Sequence, residues 1–175
     1  MWACRRLWER WTLSGGLYGF QPASTLRAPS KYLPCRTCYN PFAMITLNIK
    51  THKRMEFVDI TPLVREQIRE YGWSTGILTI YNPHTTAAIT INENADPSVQ
   101  SDILNHLQKL VPQGQAYFTH NEQNSDSHIM SSLVGTTEQV IIHAGEPILG
   151  TWQGIYFCEF DGPRQRKIHL HFRSD

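Results

Sequence analysis

The sequence predicts an α+β fold, a compact β-rich domain built as a sandwich or a partly open barrel-like sheet with two or three helices. Roughly seven segments have the alternating or continuous apolar pattern that is typical of strands. Far fewer segments have helical spacing, and those segments begin at residues that favour helix caps. The two kinds do not alternate strictly along the chain, so a doubly wound parallel sheet is not expected.

The folded region opens with two predicted strands. Ile45, Leu47 and Ile49 alternate with polar residues, and this spacing predicts a strand over 45–51. Residues 57–60 are the next apolar run, and we expect them to form the hairpin partner of the first strand.

A first helix follows at once. Thr61 is suited to the N-cap and Pro62 to the first helical position. Gly72 is the expected end of this helix, because glycine readily adopts the left-handed conformation that closes a helix. Between them lies one apolar face, made of Val64, Ile68 and Tyr71.

Two strands and a second helix come next. Residues 76–81 predict a strand that stops at Asn82-Pro83, and the β-branched run 86–91 predicts a buried one. Asp96-Pro97 repeats the cap-and-proline pattern, and Pro112 ends the second helix. The apolar residues between these points have helical spacing: Val99, Ile103, Leu107 and Leu110.

The C-terminal half predicts a short helix and three strands. Ser125 or Asp126 is the expected cap of the helix, which should end at Gly135. The strands are expected at 140–143, 148–160 and 166–173. The middle strand is apolar on both faces, which predicts a central position in a sheet.

Glu159 stands out on that central strand. A carboxylate there must be paired with a cation, bound to a metal or protonated, because an isolated buried charge is costly. Arg164 and Arg166 follow closely in the sequence, and either could pair with Glu159 or hold a phosphate.

Composition excludes several classes of protein. The chain has 175 residues, 41% hydrophobic and 18% charged, which is enough for one domain with a core. Its net charge of +1 argues against a nucleic-acid partner, and no apolar run approaches the ~20 residues of a membrane-spanning helix. Without a Walker A loop or a GxGxxG segment, no nucleotide cofactor is expected.

Residues 1–44 differ from the rest of the chain. They contain six basic residues and one acid, Glu9, whereas all eight histidines lie after them. This composition favours a transit peptide and a mitochondrial or plastid location; the alternatives are a disordered extension and a cytoplasmic protein. Cys35 and Cys38 form a lone C-x-x-C pair, which does not indicate a zinc site. We therefore expect a single folded domain over 45–175.

Three polar segments could contribute chemistry. His84 and Thr85 lie at the corner between two strands, where a histidine can act as a base, as a metal ligand or as a hydrogen-bond donor to a phosphate. Asn92 and Glu93 lead into the second helix, where amides attract anions and carboxylates bind metals. On the third helix His128 is expected beside two hydroxyls, those of Ser131 and Ser132.

Taken together, these segments resemble the YjbQ family, described as secondary thiamine-phosphate synthases. The resemblance covers about 45–175. It rests on four runs: HTTAAITINENADP from His84, DSHI from Asp126, GTWQGI from Gly150 and CEFDGPR from Cys158.

The resemblance implies a β-rich α+β fold, assembly as a homotrimer, and sites near subunit contacts. It also implies a polar cluster of His84, Asn92, Glu93, Asp96, Asp126, His128 and Glu159. Members usually have a basic residue two places after the second motif histidine, where this chain has Met130.

The activity implied is condensation of a pyrimidine pyrophosphate with a thiazole phosphate. Two alternatives stay open: a metal-dependent hydrolase, and a non-catalytic binder of a phosphorylated metabolite. The expected catalytic residues are His84, Glu93, Asp126 and His128. The expected substrate-binding residues are Thr85, Asn92, Ser131, Ser132 and Arg164. A divalent ion, Mg²⁺ or Zn²⁺, would be bound by His84, His128 and Glu159.

Overall fold

The computed structural model describes residues 44–174. Residues 1–43 of the predicted N-terminal extension, with its targeting function and its cysteine pair, lie outside the described residues, whereas Met44 begins the first strand. Within them the chain forms eight strands and three helices. In order these are β1 (Met44–Lys50), β2 (Glu56–Asp59), α1 (Thr61–Tyr71), β3 (Gly76–Tyr81), β4 (Ala87–Glu93), α2 (Pro97–Leu110), α3 (Ser125–Val134), β5 (Thr137–His143), β6 (Glu146–Pro147), β7 (Gln153–Glu159) and β8 (Gln165–Ser174).

The strands form two antiparallel sheets. One has five strands in the order β1-β8-β3-β5-β6, and the other has three strands in the order β2-β7-β4. Apolar residues of both sheets meet in one core, to which α1 adds Val64 and Ile68. A second core lies on the other face of the three-stranded sheet, against α2 and α3. The predicted α+β, β-rich fold is confirmed.

The central position of β7 explains its apolar sequence. β7 pairs with β2 on one side and β4 on the other. Phe157 lies in the core between the sheets, whereas Tyr156 and Cys158 lie in the core beneath the helices. Because consecutive side chains of a strand point to opposite faces, a strand between two cores must be apolar throughout.

The predicted pairing of the first two strands is wrong. β1 pairs with β8, so that Leu47 lies opposite Ile168, and β2 pairs with β7 in the other sheet. The chain crosses between the sheets after Thr51, whose N–H donates to the carbonyl of Arg164 at 3.0 Å. An alternating pattern specifies which face of a strand is buried, but it does not specify the partner strand.

The long predicted strand over 148–160 is also shorter in the structure. Its regular part is β7, which begins at Gln153. The N–H of Gly150 donates to Oε1 of Gln153 at 2.8 Å, and the chain turns there. The separate strand β6 lies just before this turn.

Most predicted helix ends are confirmed. Gly72 closes α1 at φ 64°, Asp96 Oδ1 accepts from the N–H of Ser98 at 2.8 Å, and α3 ends before Gly135. Two predicted N-caps are wrong: α1 has Ile60 and not Thr61 as its N-cap, and α3 has Asn124 and not Ser125 or Asp126, in both cases with no side-chain cap bond. The Thr61 hydroxyl instead accepts from the N–H of Ile155 on β7 at 2.8 Å, which ties the start of α1 to the central strand.

None of the helices within residues 44–174 combines the length and the apolar content that a membrane crossing requires.

The core makes a testable prediction about stability. Leu78 is fully buried between the sheets, whereas Leu133 on α3 is 58% exposed. Leu78→Ala should lower the free energy of unfolding by about 2–5 kcal/mol, because it removes buried methyl groups and leaves a cavity. The free energy of unfolding of the matched variant Leu133→Ala should stay within about 0.5 kcal/mol of that of the parent. Urea unfolding measures both, and similar losses for the two variants would contradict this packing.

Candidate functional site

Two buried side chains of opposite charge form an ion pair between the two sheets. Glu159 ends β7 and is fully buried, and Arg166 lies near the start of β8 and is 6% exposed. The guanidinium donates to both carboxylate oxygens, from Nε to Oε2 at 2.7 Å and from Nη2 to Oε1 at 2.5 Å. Glu159 is therefore paired with Arg166 and not with Arg164, which settles a choice that the sequence leaves open.

Further donors complete the coordination of Glu159. Its Oε1 accepts from the backbone N–H groups of Phe160 and Asp161 at 3.1 and 2.9 Å. Its Oε2 accepts from the Thr51 hydroxyl at 3.1 Å. With both oxygens engaged, Glu159 has a structural role in this chain and is not free to bind a metal.

His84 lies at the edge of this ion pair. Its Nε2 accepts from the backbone N–H of Lys167 at 2.9 Å. An acceptor nitrogen has no proton, so the neutral ring holds its proton on Nδ1. Burial and the neighbouring Arg166 lower the pKa of His84, which favours this neutral form. His84 is thus arranged to donate a hydrogen bond through Nδ1, not to accept a proton at Nε2.

The residues around the start of α2 mainly hold the chain in place. Oδ1 of Asn92 accepts from the N–H of Glu93 at 2.8 Å. The Tyr156 hydroxyl lies 2.5 Å from Oδ1 of Asn94 and 3.3 Å from the carbonyl of Glu93. Asp96 is exposed and caps α2.

The predicted hydroxyl pair of α3 is also used internally. The Ser131 hydroxyl donates to the carbonyl of Ala87 at 2.5 Å, and the Ser132 hydroxyl donates to the carbonyl of His128 at 2.9 Å. Met130 is fully buried in the core beneath the helices. Ser131 and Met130 are therefore buried, whereas Ser132 is exposed with its hydroxyl bonded to its own helix.

Two pockets adjoin the first turn of α3. The first is a shallow, open pocket of about 340 Å³ lined by His120, Ser125, His128 and Ile129. The rings of His120 and His128 meet edge to face, with their centroids 5.3 Å apart. The second is a cavity of about 390 Å³ on the side of Asp126, whose Oδ2 accepts from Nη2 of Arg54 at 2.8 Å.

The predicted metal ligands are not assembled in the described chain. Among residues 44–174 no group of three or more His, Cys, Asp or Glu side chains could hold a metal ion. Glu159 is held by Arg166, His84 by the Lys167 amide, and His128 faces His120. The set of His84, His128 and Glu159 therefore does not form a centre within one chain.

The remaining predicted residues lie at the surface. Thr85 is exposed in the turn before β4, and Arg164 pairs with Asp161 at 2.6 Å beside the β7–β8 turn. Sequence reasoning missed His120 and Arg54. Both lie in irregular segments, where no periodic pattern indicates what a side chain will contact.

Comparison with known proteins places this fold among uncharacterised relatives. The protein-family model "UPF0047 protein YjbQ-like" matches residues 45–175. The "UPF0047 protein MJ1081" of Methanocaldococcus jannaschii is 58% identical over 73% of this chain and 91% of its own. "UPF0047 protein YugU" of Bacillus subtilis is 51% identical over 71% of this chain and 95% of its own.

Solved structures agree with the sequence matches. An uncharacterised protein of the YjbQ/UPF0047 family from Clostridium acetobutylicum has a TM-score of 0.71 and 50% identity, covering 73% of this chain and 98% of its own. A YbjQ-like protein of unknown function from Sulfolobus solfataricus has a TM-score of 0.71 and 29% identity, covering 76% of this chain and 97% of its own.

These comparisons overturn the activity that the resemblance implied. The relatives at 58% and 51% identity are described only as UPF0047 proteins, and the solved structures only as uncharacterised or of unknown function. The expected thiamine-phosphate synthase activity is therefore wrong as an assignment, and the site has to be interpreted from its own geometry.

The inter-sheet ion pair makes a prediction about stability. Glu159→Gln leaves Arg166 buried without its counter-charge, so it should lower the free energy of unfolding by about 3–5 kcal/mol. Glu146→Gln removes the partner of Arg65 from an exposed pair and should cost at most about 1 kcal/mol. Denaturant unfolding of both variants measures the difference, and equal losses would contradict a structural role for Glu159.

His84 makes a prediction about pH. Because its pKa is lower in the folded chain than in the unfolded chain, the unfolded chain binds the extra proton more readily. The contribution of His84 to stability is complete above the unfolded pKa of about 6.5 and declines as the pH falls below it. Urea midpoints should therefore fall further for the parent than for His84→Gln on acidification. The urea midpoint of His143→Gln, which changes an exposed histidine, should depend on pH as that of the parent does. If the midpoints of His84→Gln and of the parent depended on pH in the same way, the result would contradict a lowered pKa of His84.

Proposed function

The chain belongs to the UPF0047 family of YjbQ-like proteins, and from that premise we propose that it binds a small phosphate-bearing molecule in the pocket formed by His120, Ser125, His128 and Ile129. The observation that favours this function is the contact between the imidazole rings of His120 and His128 beside the N-terminal turn of α3. The proposal concerns binding, and it assigns no reaction.

The first turn of α3 offers donors for an anion. Within residues 44–174 the backbone N–H groups of Ser125 and Asp126 have no hydrogen-bond partner. Unpaired N–H groups at a helix start, together with the helix dipole, favour negative charge. The Asp126 carboxylate would oppose an anion, but its charge is offset by Arg54 at 2.8 Å.

The side chains of the pocket supply the rest of the contact. A Ser125 hydroxyl and two imidazoles can all donate to phosphate oxygens. The exposed Ile129 adds an apolar wall, which suits a phosphate attached to a carbon skeleton better than the free ion. A cavity of about 340 Å³ accommodates a ligand of metabolite size.

Calorimetric titration with phenyl phosphate and with inorganic phosphate tests this function. The parent should bind phenyl phosphate more tightly, and His120→Gln and His128→Gln should each weaken binding about tenfold, the loss of one charge-assisted hydrogen bond. His143→Gln, an exposed histidine on β5, is the matched control and should bind as the parent does. Equal affinity in the parent and in both pocket variants would overturn the proposal.

The role of Mg²⁺ or Zn²⁺ stays a prediction, and the same titration examines it. If an ion helps to hold the phosphate, affinity should fall when EDTA is present and return when the ion is restored. If affinity is the same with and without EDTA, the histidines and amides bind the phosphate without a metal.

We also propose that copies of the chain associate as a homotrimer. The support is the number of large apolar side chains that remain more than half exposed in the single chain, including Tyr117, Ile141, Ile148 and Trp152. Sedimentation or light scattering should then give three times the 20.2 kDa chain mass. A mass of one chain would contradict it.

A further inference from the structure

The cavity beside Asp126 is separate from the histidine pocket. It is lined by Arg54, Gln108, Val111, Pro112, Gln113 and Asp126, and its volume is about 390 Å³. None of these residues lines the histidine pocket. We propose that this cavity binds the zwitterionic head of a small α-amino acid.

Arg54 provides the cationic half of this site. Its Nη2 contacts Oδ2 of Asp126 at 2.8 Å and Oγ of Ser127 at 3.5 Å. A guanidinium has five N–H donors, and among residues 44–174 Nε and Nη1 of Arg54 have no hydrogen-bond partner. Arg54 is 36% exposed at its side chain, so these donors are accessible to a carboxylate.

Asp126 provides the anionic half. It is 2% exposed, and Oδ1 has no hydrogen-bond partner in the described chain. A buried carboxylate oxygen without a donor from the protein is costly. An N–H group of a bound molecule that reached Oδ1 would therefore stabilise it.

The pairing of the two charges selects the class of ligand. Arg54 and Asp126 together have no net charge, so a simple anion or a simple cation is attracted by one and repelled by the other. A ligand with an ammonium beside a carboxylate matches both groups at once. The carboxylate would bind the free donors of Arg54, and the ammonium would supply the donor that Oδ1 lacks.

The rest of the lining limits the ligand's side chain. Val111 and Pro112 offer apolar contact, and Gln108 and Gln113 are uncharged amides. Nε2 of Gln108 contacts the sulfur of Met55 at 3.1 Å, while its Oε1 has no partner in residues 44–174. A short apolar or amide side chain fits this lining, and a charged side chain would lack a counter-charge.

Calorimetric titration of the full chain tests the proposal with three probes: glycine, L-valine and L-glutamine. L-valine has two matched controls, isovalerate, which lacks the ammonium, and isobutylamine, which lacks the carboxylate. We expect saturable binding of L-valine or L-glutamine, with each control at least about tenfold weaker. No saturable binding of any zwitterion, or equal binding of isovalerate, isobutylamine and L-valine, would overturn the proposal.

Variants connect the binding to this cavity. Asp126→Asn leaves Arg54 as an unopposed cation. The affinity for L-valine should therefore fall about tenfold, and the affinity for isovalerate should equal or exceed it. Arg54→Lys retains the charge next to Asp126 but loses the planar set of guanidinium donors, so it should also lower the affinity for L-valine. Arg65→Lys alters an exposed ion pair elsewhere and is the matched control. Unchanged affinity and unchanged preference in folded Asp126→Asn would place the amino acid outside this cavity and overturn the assignment.

The two Asp126 and Arg54 variants are informative only if they fold. Circular dichroism and a cooperative unfolding transition establish this for each. If both fail to fold, Gln113→Leu and Gln108→Leu alter the same lining without touching the ion pair. Both should then change the affinity for L-glutamine, and an unchanged affinity in both would overturn the proposal.

Discussion

The buried pair of Glu159 and Arg166 is the interaction on which the rest of this structure depends. Two charges have been removed from water between two sheets, and the attraction between them offsets that cost only if the remaining donors and acceptors are also satisfied. The chain meets this demand with the Thr51 hydroxyl, two backbone amides and the Thr86 hydroxyl, which lies 2.9 Å from Nη2 of Arg166. Four separate segments are thereby held at one point.

The same pair determines where the candidate sites lie. By ordering the backbone at Phe160 and Asp161, Glu159 sets the turn between β7 and β8. A side chain at Gly162 in that turn would collide with the Lys53 carbonyl, so the crossing chain packs directly on this glycine. The start of α3 is bound to the turn by Ser127 and Asn124, at 2.7 and 3.0 Å. Both pockets beside α3 thus depend on a carboxylate that lines neither.

Several polar residues that suggest chemistry in the sequence are used for architecture. Ser131 satisfies the carbonyl of Ala87, Asn94 satisfies Tyr156, and Glu159 satisfies Arg166. The physical reason is that a small β-rich domain buries many backbone and side-chain polar groups, and each must find a partner. Residue type and spacing cannot distinguish a hydroxyl that serves a ligand from one that serves a carbonyl.

The sequence by itself determined the fold class, the ends of most helices and the central position of β7 in its sheet. These follow from local rules: caps and glycines act within one turn, and strand periodicity assigns faces. Only the tertiary structure decided that β1 pairs with β8, that His120 meets His128, and that Arg54 meets Asp126. Such contacts join segments far apart in the chain, and they depend on how two sheets and a helix pack together, which no local pattern specifies.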